Sequence, residues 1–419
     1  TVWGIFPSIQ GSYVLSNEKW LADIKAINYL RLNLGFDISG NDNIDYTASR
    51  SYFIAKSMLG NDITGKYLGN VGNSSLKWET TSRLTAGIEG NFFGNRLHAA
   101  FNVFKSWTSD LISLNKMSWT SGIDQNWGNN GKLENTGFDA SLAYKVVNSK
   151  DFHWELGASA GHYKNKVTAL SNNNASYETS AYGATILTSV GNPVGVFYGY
   201  ATDGVFSTTK EANDAALYQL DKSGNKVFFQ AGDMKFVDRD GNHCIDDADR
   251  VIIGDPNPDI YGNIFTHFNW KRWTLDATFT YSLGNDIFNY ERSILESGKY
   301  FYNQTTAMNS RWTTEGQVTS MPRISYQDPH GNARFSDRWI EDGSYLRLSN
   351  VTLSYSLPMN TTYLQGITVW GAAYNLFTLT HYLGSNPDCT LSGSTILQGI
   401  DRGLLGAGRT FAVGVKLNL

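Results

Sequence analysis

From Thr410 to Leu419 apolar and polar positions alternate. Phe411, Val413, Val415, Leu417 and Leu419 fall on one face; Ala412, Gly414, Lys416 and Asn418 fall on the other. Successive strand side chains point to opposite faces, so the segment reads as a strand with one apolar and one polar side. The same period recurs in Trp273, Leu275, Ala277, Phe279, Tyr281 and Leu283, and in Phe138, Ala140, Leu142, Tyr144 and Val146. It recurs again in Leu30, Leu32, Leu34, Phe36 and Ile38, and in Phe152, Trp154, Leu156 and Ala158. Runs of about ten residues suit a tilted membrane strand, whereas soluble strands average about half that length. Eleven strands are predicted, near residues 4–14, 26–38, 76–91, 95–108, 131–147, 151–164, 258–270, 272–284, 344–357, 366–378 and 406–419.

The connections sort into two sets. Short ones fall at 15–25, 92–94, 148–150, Lys271-Arg272 and 358–365; long ones fall at 39–75, 109–130, 165–257, 285–343 and 379–405. The two sets alternate along the chain. Outer-membrane barrels place short turns at the periplasmic end and long loops outside. Trp78, Trp107, Trp154, Trp270, Trp273, Tyr345 and Trp370 sit near strand ends, where interfacial aromatic girdles belong. The expected fold is therefore all-β, a transmembrane antiparallel β-barrel wall, with 165–257 as a long extracellular loop. Single-chain barrels have an even number of strands and both termini on the periplasmic side. Eleven strands counted back from an inward-running last strand would put residue 1 outside the cell. On that count Thr1–Leu419 reads as the C-terminal part of a longer chain.

Composition narrows the function classes. Basic and acidic side chains number 34 and 38, so nothing points to nucleic acid. Charged residues are 17% and aromatic residues 14%, with 41 glycines and 8 prolines. No apolar run reaches the ~18 residues of a membrane-spanning helix, and no signal peptide is visible. A soluble β protein shares this mixture, so a secreted β-rich glycan-binding protein stands as one alternative and a passive porin-like channel as another. Cys244 and Cys389 lie far apart, and their spacing leaves both a pair and two free thiols open.

The stretch DRDGNHCIDDAD, 238–249, carries the clearest chemistry. Numbered from Asp238, it puts Asp238, Asp240 and Asn242 at positions 1, 3 and 5, the Cys244 carbonyl at 7, Asp246 at 9 and Asp249 at 12. This spacing supplies the several oxygens that a hard cation needs at ~2.4 Å. Position 6 expects glycine for its sharp turn and here is His243. The expectation is a structural Ca²⁺ site that braces the 165–257 connection.

Catalytic patterns are missing. The seven histidines form no HExxH spacing, and no P-loop, GxGxxG or GxSxG occurs. Glu341-Asp342 resembles a carboxylate pair, but adjacent strand residues point apart. No enzyme is expected. Candidate substrate-binding residues are loop aromatics with neighbouring amides: Trp119, Asn126, Trp127 and Asn129 in 109–130, Tyr198 and Tyr200 in FYGYATDG, and Tyr300 and Tyr302 in 285–343. Aromatic faces stack on sugar rings or peptide side chains, and short amides orient hydroxyls.

Several blocks resemble a known family. The run YLGNVGNSSLKWETTSRLTAGIEGNFF, 67–93, is similar to the N-x-x-L-x-W-E-x-(ST) strand start of SusC/RagA-family TonB-dependent transporters. FPSI at 6–9 with NYLRLNLGFDISGN at 28–41, and GDMKFVDRDGNHCIDDADRVIIGDPNPDIYGN at 232–263, also match. DGSYLRLSNVTLSYSLP at 342–358 and YNLFTLTHYLGSNPD at 374–388 follow in the right order. The resemblance covers essentially the whole chain. One departure is Leu419, where the family usually ends on an aromatic residue. The resemblance implies a 22-stranded barrel in the outer membrane of Bacteroidota-type bacteria, of which these strands would be the second half. It implies active import of oligosaccharides or peptides, a SusD-like lipoprotein lid, and energy from the TonB complex through a plug and TonB box upstream of residue 1. A dimer of such transporter–lid pairs is an arrangement it allows.

Overall fold

The computed structural model describes residues 3–44, 47–58, 63–116, 120, 123, 125–170, 175–359, 361, 363–391 and 395–418. Eleven strands form one large sheet: β1 (Ser8–Val14), β2 (Ile27–Asn41), β3 (Glu79–Phe92), β4 (Leu97–Lys116), β5 (Gln125–Asn148), β6 (Phe152–Ala169), β7 (Ile260–Trp270), β8 (Trp273–Leu283), β9 (Tyr345–Pro358), β10 (Gly366–Thr380) and β11 (Thr410–Asn418). Their order in the sheet is their order in the chain. This is the up-and-down topology that the alternating connections predict. No helix among the described residues is long and apolar enough to cross a membrane.

Two compact units divide the chain: Thr1–Tyr177 with Thr188–Val194 and Ile264–Lys271, and Glu178–Leu187 with Gly195–Asn263 and Arg272–Leu419. In the first unit the register carries the apolar face from strand to strand. Leu32 pairs Ile88, Ile88 pairs Phe101, Phe101 pairs Ala140, and Ala140 pairs Ala160. One residue along, Asn33, Gly87, Asn102, Asp139 and Gly161 form a row on the opposite face. The apolar face that this row belongs to is not a core: Leu34, Leu84, Ile88, Phe101 and Leu142 are exposed. In water such a face would be a large apolar patch; against lipid it is the expected wall exterior. At one end of the wall Trp154 stacks on Phe268 at 5.2 Å, and its Nε1 donates to Thr266 Oγ1 at 3.0 Å.

The predicted loop 109–130 is largely strand. β4 and β5 continue pairing to Lys116 and Gln125, past a register shift between Thr108 and Leu111. The bulge breaks the period of two, and the polar run NWGNNGK hides the extension from a hydrophobicity pattern. A smaller hairpin, Tyr52–Met58 with Ile63–Asn70, occupies part of 39–75.

In the second unit the buried core lies outside the wall. One cluster gathers Ala184, Ile186, Phe197, Phe288, Trp339, Leu391 and Ile400. Another gathers Phe206, Ala212, Leu217, Phe229, Met234, Phe236 and Ile245. Segments from 178–254, 286–342 and 389–401 thus fold as a packed body with its own core. This is how connections of such length hold a fixed shape.

Candidate functional site

The Asp238–Asp249 loop is positioned from both ends. Upstream, Met234–Phe236 pairs with Thr202–Val205. The short helix Thr209–Ala215 is N-capped by Thr208, whose Oγ1 accepts from the Glu211 amide at 3.1 Å, while Glu211 Oε2 accepts from the Ser207 amide at 2.9 Å. A hairpin of Tyr218–Leu220 with Lys226–Phe228 follows. The Tyr218 amide donates to the His243 carbonyl at 2.9 Å, and the Ile245 amide donates to the Tyr218 carbonyl at 2.8 Å. Downstream, Asp247–Asp249 is a 3₁₀ turn leading into strand Arg250–Gly254, which pairs with Val196–Tyr200.

Inside the loop the side-chain oxygens turn inward on the backbone. Asp238 accepts from the amides of Gly241 at 2.8 Å and His243 at 2.9 Å. Asp240 accepts from the Asn242 amide at 3.1 Å. Asp249, fully buried, accepts from Arg239 at 2.7 Å and Asp246 at 2.9 Å. Carboxylate oxygens of Asp238, Asp240 and Asp249 lie within 4.8 Å of one another. Desolvation raises the Asp238 carboxyl, but the amides of His243 and Gly241 outweigh it and hold the group below its ordinary range. His243 adopts φ +63°, the left-handed conformation that position 6 requires. Asn242 Oδ1 accepts from the Cys244 amide, and Asp246 Oδ1 accepts from Ala248 at 2.8 Å. Cys244 and Cys389 are both free and buried.

Beside the loop opens a cleft of about 670 Å³, lined by Tyr200, Gln219, Leu220, Arg334 and the segment Cys244–Asp247. Arg334 lies over the rings of Tyr200, Phe236 and Phe229 at 4.9, 4.5 and 5.9 Å. Its Nε donates to the Gly331 carbonyl at 2.9 Å, and its Nη2 donates to the His330 carbonyl at 3.2 Å and to Gln219 Oε1. Burial pushes its pKa down, against the opposing pull of Tyr200 and Asp328.

The other candidate residues are scattered. Trp119 lies outside the described residues. Asn126 and Trp127 pair with Asn115 and Leu114 across the β4–β5 hairpin. The Trp127 carbonyl accepts from Asn73 Nδ2 at 3.0 Å, and Asn126 Oδ1 is buried with no hydrogen-bond partner among the described residues. Asn129 is a backbone brace: its Oδ1 accepts from Lys77 N at 2.8 Å, and its Nδ2 donates to the carbonyls of Lys77 and Asp110 at 2.7 and 2.8 Å. Tyr198 carries Arg250 at 4.9 Å over its ring, whereas Tyr200, two residues on, lines the cleft. Tyr300 and Tyr302 are exposed, with ring centroids 5.5 Å apart. Sequence reasoning missed Gln219 and Arg334, which carry no motif and are brought to Tyr200 only by folding.

No family model matches the chain. TonB-dependent receptor P3 of Formosa agariphila is 29% identical over 430 residues, covering 99% of this chain and 42% of that protein. TonB-dependent receptor SusC of Bacteroides thetaiotaomicron is 27% identical over 440 residues, covering 99% of this chain and 40% of that protein. Over nearly its whole length the chain is similar to SusC-type TonB-dependent receptors. Among solved structures, the RagAB peptide importer in its closed-closed state superposes with a TM-score of 0.77 at 23% identity, over 98% of this chain and 43% of that one. That likeness establishes the fold. With this wall the chain is part of an outer-membrane β-barrel, and both curated relatives are named as receptors. The chain spans about two fifths of the length of the relatives it matches.

Proposed function

We propose that the chain forms wall strands and folded outer segments of an active outer-membrane importer. Two observations carry this reading: an apolar face exposed along the wall, and long connections that pack around cores of their own. Similarity to TonB-dependent receptors over 99% of the chain supports energising by TonB. The same kinship supports a SusD-like lipoprotein over the outer mouth, with such pairs assembling as dimers, and oligosaccharides or peptides as cargo. The loop aromatics Tyr198, Tyr200, Tyr300, Tyr302 and Trp127, with Trp119, are the proposed contact residues for that cargo. In the source bacterium, uptake of labelled oligosaccharides and peptides is to be compared between wild type, a deletion of this gene and a deletion of TonB. Loss in both deletions is expected. Uptake that survives without TonB would make the protein a passive channel.

The Asp238–Asp249 loop is proposed as a structural Ca²⁺ site. The donor set fits a hard cation: three carboxylates converge within 4.8 Å, and each carboxylate oxygen that accepts one amide retains a second lone pair. Asp238, Asp240, Asn242, the Cys244 carbonyl, Asp246 and Asp249 would hold the ion. A bound cation would neutralise mutual carboxylate repulsion and brace the loop.

A further inference from the structure

The cleft beside the loop contains a cation without an anion. Arg334 is partly buried, and among the described residues no carboxylate pairs with it. Nε and Nη2 are committed to carbonyls and to Gln219, the Tyr200 hydroxyl shares a hydrogen bond with the guanidinium, and none of its nitrogens pairs with a carboxylate among the described residues. Three aromatic rings cushion the charge, but a cation–π contact returns only about 0.5–2 kcal/mol. A desolvated guanidinium normally takes a carboxylate partner. The cleft that reaches it, about 670 Å³, falls within the ~300–1,000 Å³ of small-ligand sites. Its rim carries the opposite sign. Asp247 is exposed and, among the described residues, is tied only to Arg250 Nε at 3.2 Å. A simple anion would meet this carboxylate on its way in.

We propose that this cleft is a ligand subsite in which Arg334 and the Tyr200 hydroxyl receive a carboxylate while Asp247 attracts a cationic group of the same molecule. The ligand class is amphoteric, as in a short peptide with free ends. The proposal rests on the import reading only for the purpose of binding. It is tested without TonB or a gradient, so failure here leaves import standing, and failure of TonB-dependent uptake leaves the binding result unchanged.

The experiment is calorimetric titration of the full-length protein in detergent with trialanine, trialanine amide, N-acetyl-trialanine and digalacturonate. Trialanine is expected to bind at least about tenfold more tightly than its amide, since a charge-assisted contact is lost in the amide. Arg334→Met should erase that preference. Tyr200→Phe should weaken trialanine severalfold. Asp247→Asn, on an exposed rim residue, should shrink the advantage of trialanine over N-acetyl-trialanine and leaves folding untouched. Equal binding of trialanine and its amide, tighter binding of digalacturonate than of trialanine, or no binding of trialanine would each overturn the proposal.

Discussion

The amide of His243 donates to Asp238 Oδ2 at 2.9 Å while His243 stands at φ +63°. The bond closes the turn and requires a conformation that disfavours any side chain. Replacing His243 with glycine should therefore stabilise the loop by up to about 1 kcal/mol. The gain is partly offset by loss of the 3.2 Å contact between His243 Nδ1 and the Ala215 carbonyl. Hydrogen exchange of loop amides 238–249 reads the change; faster exchange in H243G would contradict it.

If the loop holds Ca²⁺, chelation should loosen it and spare the wall. Adding a chelator should accelerate exchange over 238–249 and along 218–228, to which the loop is hydrogen-bonded. The strands β1–β11 should keep their protection. Asp240→Ala should abolish the calcium response, because Asp240 is exposed and bonds only within the loop. Identical exchange with calcium and with chelator would remove the metal from this account.

Asp233 ties two distant segments together. Its carboxylate is fully buried and takes Arg323 Nε at 2.7 Å and Nη2 at 3.1 Å, Asn332 Nδ2 at 2.9 Å and the Gln230 amide at 2.8 Å. Asp233→Ala strands Arg323 and should cost on the order of 3 kcal/mol. The loss should appear as protease cutting within 310–332 while the wall stays intact; an unchanged digestion pattern would show that the pair adds little.

Asp286 holds its proton more tightly than an ordinary carboxyl. Burial first, then repulsion from Asp255, Asp342 and Asp259, raises its carboxyl above the usual range, although the Asp255 amide donates to it at 2.8 Å. The folded state therefore binds this proton more tightly than the unfolded chain does. Stability is fullest below the unfolded pKa near 3.8 and falls as pH rises through the raised folded value. Asp286→Asn keeps an oxygen for the Asp255 amide and removes the charge. Its melting temperature should exceed wild type at pH 8 and converge with it near pH 4, and a gap independent of pH would refute this.

On β11, Phe411, Val413, Val415 and Leu417 are 72, 88, 62 and 57% exposed. If that face meets lipid, Val413→Arg should cost about 2–4 kcal/mol near the bilayer midplane. Ala412→Arg, one residue along and on the opposite face, should cost much less. Folding yield into lipid vesicles, read by heat-modifiable gel mobility, separates the two.

The wall was written in the sequence because its signal is local. Period-two alternation needs only neighbours in the chain, and a lipid-facing strand must keep it along its whole span, so Thr410–Asn418 and Trp273–Leu283 could be read directly. The spacing of the 238–249 loop was equally local, including the left-handed demand that His243 meets. Tertiary structure decided what long-range contacts make. It turned the expected loop 109–130 into a bulged hairpin, which made Asn129 a backbone brace. It also folded the outer connections around a core whose members, Phe197, Phe288, Trp339 and Ile400, share no periodic pattern. Arg334 reached Tyr200 the same way: a guanidinium loses water only where distant segments close over it, and no stretch of chain announces that closure.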